Sequence, residues 1–263
     1  MPQTTETLIR ESDRLISIVG GGGKTSLMFC LAHAMQQKGI RVVSTTTTRI
    51  LVPEPEQSLD VVLLAEPGFE KKLKCSLDQH GHVTVAQHLS PDGKKLQGLS
   101  CNQVKTVLEY PFVERMIVEA DGARQLSFKA PGDNEPVVPQ ITDVFISVVG
   151  LDIIGKFLED VNVFRAGLVS SLTGVEMGTE ITPLIVAKLL VHSKGLLRGC
   201  PESARSVLLL NKADISGGRQ KALSVMEAVG KLEGKKPDYW VSGSTREGVF
   251  RGKGESICNL WER

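Results

Sequence analysis

Aromatic residues are scarce, 5% of a 263-residue chain, which is too few for a platform that stacks the bases of a single strand. An excess of one charge is also missing. Lys plus Arg total 31 and Asp plus Glu total 30, so nothing in the balance draws the chain to nucleic acid or to a membrane surface. The five cysteines, Cys30, Cys75, Cys101, Cys200 and Cys258, contain no CxxC pair, which argues against a zinc knuckle or a disulfide framework. No apolar run approaches the ~18 residues of a membrane span. The opening stretch, MPQTTETLIRESD, has no apolar core of the signal-peptide kind. These absences predict a reduced, cytoplasmic protein whose partners are neither nucleic acid nor membrane.

What is present is ordinary for a globular domain and patterned for an α/β one. Hydrophobic residues make up 41% of the chain, enough to fill a large core. Runs of β-branched and apolar residues recur at 15–19, 40–48, 60–65, 114–122, 143–150, 206–214 and 238–245, and each reads as a strand of a buried, mainly parallel sheet. Helical spacing covers 24–39, 99–110, 183–192 and 218–232, and a short helix is expected at 3–12. The segment 66–98 changes character: a helix around 66–77, then turn signals and a brief alternation. It predicts a small hairpin insertion, with His80, His82 and His88 on a solvated hairpin. The expectation is one P-loop NTPase-like α/β domain over 1–263, its mainly parallel sheet flanked by helices, with the insertion at 66–98.

Chemistry gathers at four strand ends, and ligands of open parallel sheets bind outside the carboxyl ends of strands. The first, GGGGKTS, offers Gly20, Gly21, Gly22, Gly23, Lys24, Thr25 and Ser26 between a strand and a helix. Glycines let backbone N–H groups approach a phosphate, the helix start adds its positive end, Lys24 supplies a charge and the Thr25 hydroxyl a magnesium ligand. The loop is two residues shorter than G-x-x-x-x-G-K-[ST] and resembles the G-x-x-G-K-T loop of Mur-ligase ATP sites. The second, STTTTRI, places Thr48 as a magnesium ligand and Arg49 toward an anionic substrate, against the plain reading that threonines suit strands. The third, MIVEADGAR, ends a hydrophobic strand in Glu119 and Asp121, both catalytic candidates, with Asp121 as the magnesium ligand and Glu119 in support, and with Arg124 and Lys129 following as substrate cations. The fourth, LLLNKAD, matches N-K-x-D through Asn211, Lys212 and Asp214, the tetrad that reads guanine in GTP-binding proteins.

These residues also resemble a bacterial family, the selenium-dependent hydroxylase accessory proteins of the YqeC type. The resemblance rests on SIVGGGGKTSLMF, VVSTTTTRI, IVEADGARQLSFKAPGDNEPVVP, VFISVVGLDIIGK and VLLLNKAD. It runs over most of the chain and is weakest in 66–98 and after 245. The family's pattern often has His before the Glu-Pro pair. Asn134 stands there in this chain and receives no catalytic role. The resemblance implies a part in maturing selenium-dependent molybdenum hydroxylases, with a hydroxylase or another maturation factor as protein partner. The residues themselves predict magnesium with GTP, or with ATP, and an NTPase with Lys24, Asp121 and Glu119 as its catalytic groups. A small-molecule kinase or ATP-dependent ligase and a binding module without turnover are the alternatives.

Overall fold

Every residue of the LISIVG run is buried, and the sheet is assembled on both sides of it. The computed structural model describes residues 8–251. The first half runs β1 (Leu15–Gly20), α1 (Lys24–Gln36), β2 (Val42–Thr46), β3 (Arg49–Leu51), β4 (Val61–Leu63), α2 (Phe69–His80), β5 (His82–Ala86), β6 (His88–Leu89), β7 (Lys95–Gln97), α3 (Cys101–Leu108) and β8 (Arg115–Glu119). The second half runs β9 (Phe128–Lys129), β10 (Val144–Gly150), β11 (Val163–Phe164), α4 (Ala166–Thr173), α5 (Pro183–Val191), β12 (Arg205–Asn211), α6 (Gly218–Gly230), β13 (Tyr239–Ser244) and β14 (Val249–Arg251). Nine strands form one sheet in the order β14-β13-β12-β10-β1-β8-β2-β5-β4. All pair in parallel except β13 with β14. It is the expected α/β, P-loop NTPase-like arrangement.

Alternation along the central strands sends side chains into two separate cores. Ile16 and Ile18 of β1 face Leu27, Met28 and Met35 of α1. Leu15 and Val19 face the opposite layer, where α2, α3, α5 and α6 bury Leu73, Val107, Leu189 and Val225. The chain builds outward from β1 to β2, β4 and β5, returns to insert β8 beside β1, then crosses to β10 on the other side. The strand order therefore reverses at the carboxyl ends of β8, β1 and β10, the place where open α/β sheets form ligand crevices. Helix α3 starts at a capping box. Ser100 accepts from the Gln103 amide at 3.3 Å, and the Gln103 side chain accepts from Ser100 N at 2.8 Å.

Two sequence readings change. Residues 3–7 of the expected N-terminal helix lie outside the described residues, and 8–12 form a bend and a turn. The segment 66–98 is not one hairpin insertion. Helix α2 and strand β5 belong to the main sheet, and only β6 and β7 form a hairpin, which pairs with β3 in a separate three-stranded sheet. His82 is consequently buried, not solvated: its Nε2 lies 2.9 Å from Ser44 Oγ, which in turn lies 2.9 Å from Thr84 Oγ1.

Burial and the neighbouring His33 push the His82 pKa down to about 3. The folded value lies below the unfolded one, so as pH falls the unfolded chain takes up the proton first and stability drops. The loss begins below about pH 6.5, proceeds at about 1.4 kcal/mol per pH unit, and ends near the folded value. His82→Gln keeps a hydrogen-bonding group without this titration. Urea unfolding between pH 6 and 4 should show a shallower pH dependence for the variant than for wild type. Equal slopes would assign the acid sensitivity elsewhere.

Candidate functional site

The four consecutive glycines are packed so tightly that no side chain fits. A Cβ on Gly20 would lie 2.3 Å from Val148 O, one on Gly21 2.6 Å from Leu126 O, and one on Gly22 2.5 Å from Gly150 N. The backbone of the loop is tied down with them. Gly20 N donates to both oxygens of Asp121 at 3.2 and 3.0 Å, Gly21 N to Val148 O at 2.9 Å, and Gly22 N to Leu126 O at 2.9 Å. These three N–H groups face protein, not an open cradle. The next four, on Gly23, Lys24, Thr25 and Ser26, open helix α1, where no intrahelical acceptor exists and no side chain caps them. The anion-binding capacity of the loop is therefore concentrated at the helix start, where the helix dipole adds to it.

Lys24 folds back under the loop. It is 5% exposed, its Nζ donates to Gly20 O at 2.9 Å, and it lies 3.3 Å from Asp121 Oδ1 and 3.5 Å from Glu119 Oε1. Burial works against its charge, but the carboxylates of Asp121 and Glu119 outweigh it and hold the pKa above the usual lysine value. Burial pushes the Glu119 carboxyl above the usual range, and Lys24 and the Thr25 hydroxyl only partly offset this.

The two acids are used differently. Both oxygens of Asp121 are engaged, by Gly20 N, by Lys24, and by Lys129 Nζ at 2.9 Å. Glu119 Oε2 accepts the Thr25 hydroxyl at 2.6 Å and keeps spare acceptor capacity beside it. A hydroxyl and a carboxylate side by side are hard oxygen donors of the kind magnesium takes when substrate oxygens and water complete its shell. No group of three His, Cys, Asp or Glu side chains poised for a metal occurs among the described residues.

Thr48, expected as a metal ligand, is placed otherwise. Its hydroxyl lies 3.2 Å from that of Thr46, and Thr46 donates to Glu119 O at 2.6 Å. Thr47 donates to Val137 O at 2.7 Å. The threonine run fastens the end of β2 to β8 and to the loop beyond it. Arg49 sits on the small antiparallel sheet, bonded to Gln97 Oε1 at 2.8 Å.

Lys129 is fully buried and takes three acceptors: Asp121, Gly122 O at 2.6 Å and Glu135 Oε2 at 2.7 Å. Glu135 also receives Arg165 Nη1 at 2.6 Å. Burial alone would raise the Glu135 pKa; the hydrogen bonds from Arg165 and Lys129 reverse this and hold it at about 2. Lys129 thus welds the acid-tipped strand to the 130–137 loop and is not presented to a substrate.

Asn211 is 1% exposed. Its amide donates to Gly22 O at 2.7 Å and to Thr245 Oγ1 at 3.2 Å, and its oxygen accepts from Thr245 N at 3.0 Å. The expected base contact is replaced by a clamp that joins the β13 loop to the glycine loop. Lys212 reaches Ser127 Oγ at 2.7 Å and Asp152 Oδ2 at 2.9 Å. Asp214 is exposed, and no hydrogen bond or ion pair among the described residues occupies it. Glu135 stood in the Glu-Pro pair of the resemblance without an assigned role, and Phe164 and Arg165 carried no motif; the parallel pairing of β9 with β11 sets Phe164 beside Lys129, and the 130–137 loop returns Glu135 to it.

The fold and these strand ends define an α/β protein of P-loop NTPase-like arrangement. The model of the family described as "YqeC protein" matches residues 16–167, a span that contains the glycine loop, both acids and the Lys129–Glu135–Arg165 network. An Escherichia coli (strain K12) relative, "Uncharacterized protein YqeC", is 30% identical over 200 residues, 75% of each chain. The chain belongs to the YqeC family. No helix among the described residues is long and apolar enough to cross a membrane.

Proposed function

We propose that this chain binds a nucleoside triphosphate at the start of α1 and hydrolyses it with magnesium, in the service of a protein partner. The observation that carries the reading is the set of four uncapped N–H groups at Gly23–Ser26, with buried Lys24 beneath and the Thr25–Glu119 pair alongside. Phosphate oxygens would take those N–H groups, and Lys24 would turn from Gly20 O toward the β and γ phosphates. Thr25 and Glu119 would hold the magnesium, Glu119 directly or through a water. Bound there, the metal would neutralise charge on the β and γ oxygens. Asp121 would keep Gly20 and Lys24 in register, and Asn211 would brace Gly22. Membership of the YqeC family supports an accessory protein; that its task is maturing selenium-dependent molybdenum hydroxylases, with the hydroxylase or another maturation factor as partner, is part of the proposal.

Guanine is the base we favour, because Asp214 is free to accept from both of its donors. Isothermal titration with magnesium GTP, magnesium ATP and the diphosphates tests the reading. Wild type should bind GTP, and Lys24→Ala should weaken binding at least tenfold, since a charge-assisted contact is worth about 1.5–3 kcal/mol. Asp214→Asn should weaken GTP and favour xanthosine triphosphate, whose carbonyl replaces the exocyclic amine. Tighter binding of ATP by wild type would move the base assignment to adenine, and no binding of any nucleotide would end the proposal.

A further inference from the structure

Between Asp121 and Leu126 the chain arches over the glycine loop. One foot is the Asp121 carboxylate on Gly20 N; the other is Leu126 O, which accepts from Gly22 N. At the crown, Arg124 and Gln125 are exposed, and both have left-handed backbone, φ 48° and 63°. Two successive side-chain-bearing residues in that region are costly, and such strain persists where the surroundings impose it, most often at functional positions. The guanidinium of Arg124 rests 5.1 Å from the centre of the Phe164 ring, which Arg165 and Lys129 also approach, at 4.5 and 5.5 Å. Lys129 and Arg165 share Glu135 as counter-ion. Arg124 has no carboxylate partner among the described residues, so three cations crowd one ring and the unpaired one stands on the strained arch.

We propose that Arg124 is a catalytic arginine supplied by the chain itself, which leaves Phe164 to contact the γ-phosphate during hydrolysis. The inference rests on the nucleotide site proposed above. In the reaction a water oxygen bonds to the γ-phosphorus while the bond to the β–γ bridging oxygen breaks. The electron pair stays on the diphosphate; one water proton remains on the released phosphate and the other passes to solvent. Negative charge grows on the transferring group and the bridging oxygen, and a guanidinium delivered there stabilises the transition state more than bound triphosphate. The two feet hold the arch directly on the loop that would carry the phosphates, and an arginine aimed at this charge needs no second protein.

The test pairs single-turnover phosphate release, with magnesium GTP and magnesium ATP, against calorimetric affinity for the imido analogue of each. Arg124→Ala should bind the analogue within about threefold of wild type yet release phosphate about 100-fold or more slowly, in line with arginines that act this way elsewhere. Phe164→Leu separates parking from chemistry: it should leave turnover unchanged. Equal loss in Arg124→Ala and Phe164→Leu would make the contact structural and overturn the proposal, as would wild-type turnover in Arg124→Ala. A wild type that binds nucleotide but releases no phosphate also overturns it while sparing the binding site. Failure to bind at all strikes the nucleotide reading beneath it and is seen separately, in the calorimeter.

Discussion

Lys129→Met should lower the stability of the protein by about 3–5 kcal/mol, the usual cost of removing one partner from a buried charge pair. The side chain has no exposed surface and serves Asp121 Oδ2 and Glu135 Oε2 together. Methionine fills much of the space but leaves Asp121, 2% exposed, with one cation fewer, and Glu135 with Arg165 alone. For a domain of this size the loss corresponds to a fall in melting temperature of roughly 6–20 °C, readable by calorimetry. Two comparisons guard the interpretation. Lys72, paired with Glu66 while both are about half exposed, should cost under about 1 kcal/mol when changed to Ala. Adding Glu135→Gln to Lys129→Met should recover part of the loss, because it removes the excess negative charge that the first change leaves in the network of Asp121, Glu135 and Arg165. A drop below about 1 kcal/mol for Lys129→Met would mean the network contributes little to folding.

That network shows where the sequence could and could not be read. The strands β1, β10 and β12 were plain in LISIV, DVFISVVG and SVLLLNKAD, because a strand covered on both faces must be apolar throughout. The place of strand β5 in the main sheet, where the sequence reads only a small hairpin, escapes the pattern for a related reason. HVTVA alternates polar and apolar residues, the pattern of a strand with one wet face. Here the polar set is dry: His82, Ser44 and Thr84 satisfy one another across β2 and β5, so their polarity gives no sign of solvent. Glycine loop, Lys24, Thr25 and the acids were legible because they are local. Long-range pairings were not: Asn211 reaches Gly22 O across 189 residues. Lys129 reads as a substrate cation until Asp121 and Glu135 are seen around it.

The two acids of β8 and its continuation should separate in experiment. Strand alternation puts Glu119 and Asp121 on one face, and the sequence reading puts the magnesium on Asp121 with Glu119 in support. Their partners favour the reverse. Asp121 spends both oxygens on Gly20 N, Lys24 and Lys129, whereas Glu119 holds only the Thr25 hydroxyl and a longer contact to Lys24. Glu119→Gln should therefore leave the fold within about 1 kcal/mol of wild type, since an amide oxygen can still accept from Thr25. The same variant should lose magnesium-dependent tightening of nucleotide binding and slow hydrolysis by at least about 100-fold, because the carboxylate proposed to hold the metal beside Thr25 is gone. Asp121→Asn should do the reverse in part. Its amide cannot accept on both sides, so Gly20 or one lysine loses a partner, and stability should fall by about 1–3 kcal/mol with affinity weakened whether or not magnesium is present. Titrations of each variant with GTP, in magnesium and in EDTA, distinguish the two. If Asp121→Asn proves stable and loses only the magnesium dependence, while Glu119→Gln keeps it, the metal belongs to Asp121 and Glu119 is the residue that merely holds Thr25.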